Sequence, residues 1–297
     1  MRPHTKALLC LTFISLAWGT TYYAIRVGAA HYPPFMYAAI RQFCAGAVLL
    51  LIGYRRKWRF SWREMAHHAA VGFLLITIGN GVVTWGEQEV PSGVAALICS
   101  IMPAIAVLIN LGSSKTEKLN LLIGGGLLLG LAGVAVIFKN SMADLSNPRY
   151  LARMIGIFVA TTCWAGGSVL NKHRKTQDTP TFNSGLQLFF GGIFLLPASL
   201  MFDNYATAEW QNREAFWSLV YLIVVGSILA YSAYMYALRR LPTGIVMTYA
   251  YINPLVAVLL AYFLNDGNVT ILTGVSFLLI TLGVWLVNRG YRRQRVI

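Results

Sequence analysis

Uncharged polar and aromatic residues recur at helical spacing inside long apolar runs of this chain. One run carries Ser15, Trp18, Thr21 and Tyr22; another carries Thr77, Asn80, Thr84 and Gln88, with Trp85 beside them. Further runs carry Ser100, Pro103 and Asn110; Thr161, Trp164, Ser168 and Asn171; Ser227, Tyr231 and Tyr234; and Thr248, Tyr249, Tyr251 and Asn253. Steps of three and four residues place each set on one helix face. A polar group left unpaired in hydrocarbon costs several kcal/mol, so these faces must turn inward. Two readings stand. The faces hydrogen-bond from helix to helix, or they line a cavity for an amphiphilic solute that needs apolar walls and a few orienting polar groups. The candidate lining is Trp18, Tyr22, Asn80, Trp85, Ser100, Trp164, Ser168, Tyr231, Tyr249 and Asn253.

Charge is scarce in these runs. Arg41 lies inside one, either to hold an anionic group or to snorkel and pair near the interface. All the carboxylates fall at run ends or between runs, and Glu87 comes nearest to a proton-relay position. Arg41 and Glu87 are therefore the candidate charge or coupling residues. Gly124-Gly125-Gly126 lacks the Lys-Ser/Thr of a phosphate loop. No Cys/His ligand spacing occurs, so neither metal nor cofactor is expected. His67-His68 with Glu64 is the one grouping an enzyme could use, but beside Arg63 a charged helix start explains it better.

The elements that position these residues follow from composition. Of 297 residues 57% are hydrophobic and 11% charged, with mean hydropathy +0.60, which is far from a soluble globular balance. Apolar stretches of about 20 residues, the length that crosses the hydrocarbon core, predict ten spans near 7–26, 35–54, 67–86, 91–111, 119–138, 154–172, 181–202, 214–238, 243–264 and 270–288. The first is read as an uncleaved helix rather than a signal peptide. With ten spans and the N-terminus inside, Arg55, Arg56, Lys57, Arg59, Arg63, Lys115, Lys118, Lys172, Arg174, Lys175, Arg239, Arg240 and the C-terminal arginines all fall on the cytoplasmic side. The outer segments keep Arg26, Lys139, Arg149, Arg153 and Arg213. That asymmetry is the positive-inside rule with both termini cytoplasmic. The net charge of +14 thus reflects topology, and no nucleic-acid partner is expected.

The chain also repeats itself. VPSGVAALICSIMPAIAVLIN (90–110) is echoed by LPTGIVMTYAYINPLVAVLLA (241–261), with Pro103 matching Pro254. Trp18 corresponds to Trp164, and Gly133 to Gly283. One five-helix unit used twice, over 1–145 and 150–297, must insert its second copy inverted because five is odd. Each internal proline frees a carbonyl and marks a helix break or hinge, so Pro103 and Pro254 are the hinge candidates. Gly126, Gly130 and Gly133 form a small-residue face suited either to internal packing or to a dimer seam.

WGTTYYAIR (18–26), PPFMYAAIR (33–41), VPSGVAALICSIMP (90–103) with KTEKL (115–119), and LPTGIVMTYAYINPLVAVLL (241–260) resemble the EamA-type permeases of the drug/metabolite transporter superfamily. The resemblance implies an all-α integral membrane fold of ten helices as two inverted five-helix repeats, placed in a bacterial inner membrane. It implies a cavity lined by helices one to four and six to nine, with five and ten peripheral. The sequence departs from the family's Gly-Glu at 114–117 and 265–267. The expected function is a secondary transporter or facilitator that exports a small, amino-acid-like amphiphilic metabolite by alternating access, as monomer or homodimer. Alternatives are a multidrug exporter of organic cations using cation–π contacts, or a non-transporting membrane enzyme or subunit.

Overall fold

A computed structural model describes residues 3–54, 61–113, 119–137, 147–174, 179–263 and 271–294. The basic cluster at 55–59 and the stretches 114–117 and 265–267 lie outside them. Among the described residues there are helices and short connections, and no strand.

The chain opens with α1 (Pro3–His31) and α2 (Pro34–Gly53), separated by a Pro-bounded corner. Proline at the first turn of α2 loses nothing, because that N–H has no helical partner. The free donors behind it are taken by Asp203, whose two carboxylate oxygens accept from Phe35 N at 3.1 Å and Met36 N at 2.8 Å. Next come α3 (Trp62–Gly72), a π-helical stretch (Phe73–Val82) and α4 (Val83–Gly86), which run on without a break. Beyond a turn lie α5 (Ser92–Cys99) and α6 (Met102–Ser113), then α7 (Leu121–Ile137).

The later half has the same grammar. It comprises α8 (Pro148–His173), α9 (Pro180–Phe202), and α10 (Arg213–Tyr221) leading through a second π-helical stretch (Leu222–Leu229) into α11 (Ala230–Leu238). Then come α12 (Thr243–Val246), α13 (Tyr249–Phe263) and α14 (Ile271–Gln294). Asn147, Thr179 and Asn212 cap α8, α9 and α10 with side-chain oxygens.

Among the described residues, eight helical stretches are long and apolar enough to cross a membrane, and Leu121–Val136 is a shorter apolar helix. Their outer faces carry large apolar side chains such as Leu51, Leu121, Leu200 and Ile271, each more than three-quarters exposed. Water would penalise that belt, whereas hydrocarbon accepts it.

Two helix pairs hold the bundle through glycine. A Cβ on Gly46 would lie 2.5 Å from the Phe189 nitrogen, one on Gly53 2.6 Å from the Phe182 nitrogen, and one on Gly192 2.7 Å from the Phe43 nitrogen. Position rises along α2 as it falls along α9, so the pair is antiparallel. In α7 and α14 a Cβ on Gly126 would lie 2.7 Å from the Gly283 carbonyl, and one on Gly283 2.7 Å from the Gly130 nitrogen. Gly290 faces Ile123 and Gly133 faces Ile280, so this pair is antiparallel too. The glycine face of α7 is thus filled from within the chain, and α14 occupies the place a second protomer would need.

The breaks in the two proline-bearing spans differ. Between α5 and α6 the chain tightens at Ser100-Ile101 just before Pro103, where the Cys99 carbonyl has no N–H to accept from Pro103. In the later copy the interruption falls at Met247-Thr248, while Pro254 sits inside α13. The hinge expected at Pro254 therefore has its visible break nearly two turns earlier.

Candidate functional site

The π-helical stretches and the broken span α5–α6 converge on one cavity of about 70 Å³. Its wall takes Trp18, Tyr22 and Thr21 from α1, Arg41 and Gln42 from α2, and Gly79 and Asn80 from the first π-helical stretch. Cys99 and Met102 come from either side of the α5–α6 break. Thr161 and Trp164 on α8, Gly226 and Ser227 on the second π-helical stretch, Tyr231 on α11, and Tyr249 and Asn253 on α13 also line it, with apolar side chains such as Ile76 and Leu188. A π turn adds a residue to the helical repeat and rotates the helix beyond it, and such turns gather at functional sites.

An aromatic cluster forms one part of this wall. Trp18 meets Tyr249 at a centroid distance of 4.8 Å, Tyr234 at 5.1 Å and Trp164 at 5.5 Å. Trp164 in turn packs on Tyr231 at 6.4 Å. Trp18 Nε1 donates to the Gly226 carbonyl at 2.9 Å, tying α1 to the second π-helical stretch. The Asn253 amide, oriented with its nitrogen toward the two carbonyls it borders, donates to Ser15 O and Tyr249 O at 3.1 Å each.

The same cavity is also lined by a polar ring. Arg41 Nε donates to Ser227 Oγ at 2.9 Å, Ser227 Oγ donates to Gln42 Oε1 at 3.1 Å, and Gln42 Nε2 donates to Asn80 Oδ1 at 2.8 Å. Arg41 Nη1 reaches the same Asn80 oxygen at 3.5 Å. Below the aromatic cluster a second polar chain leaves the cavity wall. Tyr231 donates to Gln187 Oε1 at 2.8 Å, and Gln187 Nε2 donates to Asn171 Oδ1 at 2.8 Å and sits 3.2 Å from His68 Nδ1.

Trp18, Tyr22, Asn80, Trp164, Tyr231, Tyr249 and Asn253 thus share one cavity with Arg41. Trp85, Ser100 and Ser168 do not line it. Trp85 lies at the mouth of the bundle, under the Arg153 guanidinium at 3.8 Å, which also donates to the Trp85 carbonyl. Ser100 donates to Leu97 O at 2.6 Å inside its own span. Ser168 stands behind the aromatic wall, bonded to Trp164 O and 2.5 Å from Tyr234 Oη. Arg41 is 3% exposed rather than snorkelled outward. Glu87 is 1% exposed, accepts from Ser92 Oγ at 3.3 Å, and its Oε1 has no hydrogen-bond partner. Pro103 adjoins the cavity through Met102, and Pro254 through Asn253.

Gln42, Ser227, Thr21, Thr161, Cys99 and Met102 join the wall without having been among the candidates. Ser227, Thr21 and Thr161 belong to the polar stripes, so their signal was present. Gln42 is a single polar residue beside Arg41, and only the fold shows its partners. His67 and His68 pack together, and no group of three His, Cys, Asp or Glu placed to hold a metal occurs among the described residues.

A many-helix membrane protein with a polar-aromatic cavity enclosed by helices from both ends of its sequence is, as a class, a carrier or a channel. The EamA-like transporter family matches residues 5–139 and again 152–289, and the chain belongs to that family. It is 34% identical to the uncharacterized inner membrane transporter YedA of Escherichia coli K12, over 97% of this chain and 91% of that protein. It is 25% identical to the uncharacterized transporter YoaV of Bacillus subtilis, over 98% of this chain and 99% of that one. A protein of E. coli K12 named a probable amino-acid metabolite efflux pump is 24% identical over 96% of this chain and 95% of its own length. A crystal structure superposes with a TM-score of 0.79 at 20% identity, covering 98% of this chain and 99% of that chain, and shows the fold. The protein is a multi-pass membrane transporter.

Proposed function

We propose that the protein is a secondary transporter or facilitator that exports a small, amino-acid-like amphiphilic metabolite across the inner membrane by alternating access. Its ten spans form two inverted five-helix repeats, 1–145 and 150–297, with both termini cytoplasmic. The observation that carries this reading is the cavity itself, walled by Trp18 and Tyr22 from one half and by Trp164, Tyr231 and Tyr249 from the other. Antiparallel packing of α2 on α9 and of α7 on α14 is what two inverted copies require of equivalent helices.

A cavity of about 70 Å³ falls below the roughly 300–1,000 Å³ of open ligand sites. It fits a closed stage of the cycle, from which the halves must part to load. The ring of Arg41 and its neutral partners disfavours an organic cation, which the guanidinium would repel. The relative named a probable amino-acid metabolite efflux pump supports the solute class.

The test is flux into proteoliposomes carrying the purified, folded protein, tried across neutral amino acids and organic cations. Saturable movement of amino-acid-like solutes is expected. Movement of cations alone, or of nothing, would refute the reading.

A further inference from the structure

Arg41 carries a charge that its surroundings do not balance. It sits two turns into α2, 3% exposed, on the cavity wall. A guanidinium has five N–H donors and stays protonated. Nε is satisfied by Ser227 at 2.9 Å, and Nη1 reaches Asn80 only at 3.5 Å. Nη2 has no hydrogen-bond partner among the described residues.

Among the described residues, no carboxylate lies within ion-pairing distance of Arg41 either. His31 pairs with Glu209 and Arg153 with Glu89, and neither pair involves Arg41. Glu87 accepts from Ser92 and makes no contact with Arg41 within ion-pairing distance. Ser227 and Asn80 accept from Arg41 and are linked to each other through Gln42, so every partner in the ring is neutral and the guanidinium charge stands unbalanced by it. A buried charge without a counter-ion is costly, and inside a membrane protein it marks a place where an ion is to be met.

We propose that Arg41 is the anion-binding group of the cavity and receives the carboxylate of the transported solute. Guanidinium and carboxylate match as a two-pronged pair. The apolar body of the solute then packs on the aromatic wall of Trp18 and Trp164, which line the same cavity. This assignment rests on the transporter reading and narrows it: the solute bears a carboxylate, and its amino group is dispensable. Asn80 and Ser227 hold the guanidinium in place and are positioning residues.

The experiment reads binding apart from flux. Tryptophan fluorescence and melting temperature of the detergent-purified protein are followed with neutral L-amino acids, the same acids lacking the amino group, and the amino-acid amides. Carboxylates with or without the amine should bind, and amides should not. Arg41→Gln should weaken carboxylate binding at least tenfold, with Arg41→Lys in between. Because Arg41→Gln risks misfolding, Asn80→Asp supplies an independent arm. It places a fixed carboxylate beside Nη1 and should raise the melting temperature while abolishing carboxylate binding. The proposal is overturned if amides bind as tightly as acids, if no carboxylate binds the folded protein, if Arg41→Gln binds as wild type does, or if Asn80→Asp leaves both stability and binding unchanged. Arg41-dependent binding without flux would instead refute transport and leave the anion site standing. Flux of amides but not acids would keep transport and remove this assignment.

Discussion

Trp18 and Trp164, which hold corresponding places in the two halves of the sequence, meet edge to face with ring centroids 5.5 Å apart and planes at 88°. The contact joins α1 to α8 at the cavity, so any separation of the halves there must break it. Edge-to-face pairs contribute about 0.5–1.5 kcal/mol beyond their buried area. That is strong enough to favour the closed arrangement and weak enough to release it.

Trp18→Ala should therefore lower the melting temperature and reduce flux about tenfold or more, since it also removes the hydrogen bond to the Gly226 carbonyl, worth roughly 1 kcal/mol. Trp18→Phe keeps a ring without the donor and should fall between alanine and wild type. Initial rates in proteoliposomes decide this, and wild-type flux from Trp18→Ala would contradict it.

The α7–α14 contact makes a sharper stability prediction. Gly283→Ala pushes a methyl group against backbone at 2.7 Å on two sides, Gly126 O and Gly130 N. Backbone cannot rotate away, so a loss of about 1–3 kcal/mol is expected. Gly125→Ala, with nothing within 4 Å of its Cβ, should be neutral. Melting temperatures of the two variants in detergent check the contrast.

Tyr231→Phe removes the donor that links the cavity wall to Gln187 at 2.8 Å. A stability loss of about 0.5–1.5 kcal/mol is expected from one hydrogen bond, with more if Gln187 Oε1 is left unpaired. Gln187→Leu, which also strips partners from Asn171 and His68, should cost more than Tyr231→Phe. Parallel unfolding curves give the order.

Glu87 lies just past Gly86, the end of the span Trp62–Gly86. Burial pushes its carboxyl well above the ordinary range, and the Ser92 hydroxyl and the charges of Arg26 and Arg41 pull it back only in part. A raised folded-state value means the group stabilises most when protonated, and that stability is lost as pH rises through the folded value. Glu87→Gln cannot ionise. Its melting temperature should fall less than that of wild type between acid and alkaline pH, and parallel pH profiles would count against the prediction.

Much of this was legible in the sequence, for reasons the structure makes plain. A polar residue in hydrocarbon must turn inward, so the stripes holding Trp18, Asn80, Trp164 and Tyr231 pointed at the cavity. The rule says inward but not how far. Ser168 and Ser100 obeyed it by bonding to carbonyls of their own helices, and Trp85 ended at the mouth under Arg153. The π-helical stretches left no proline to announce them. The α2–α9 crossing was written in Gly46, Gly53, Gly185 and Gly192, but glycine in an apolar run names no partner. Glu87 lies close to the edge of a span, where sequence position alone suggests water, yet it is buried and bonded to Ser92 at the start of α5.

Alternating access around one cavity is tested most directly at Cys99, a native thiol on its wall. With Cys10, Cys44 and Cys163 replaced by alanine, the remaining thiol is reacted with a membrane-impermeant methanethiosulfonate in right-side-out and in inverted vesicles. Reaction from both faces, slowed in each case by a transported solute, is the predicted result. Reaction from one face alone, or from neither, in vesicles that still carry flux would contradict it.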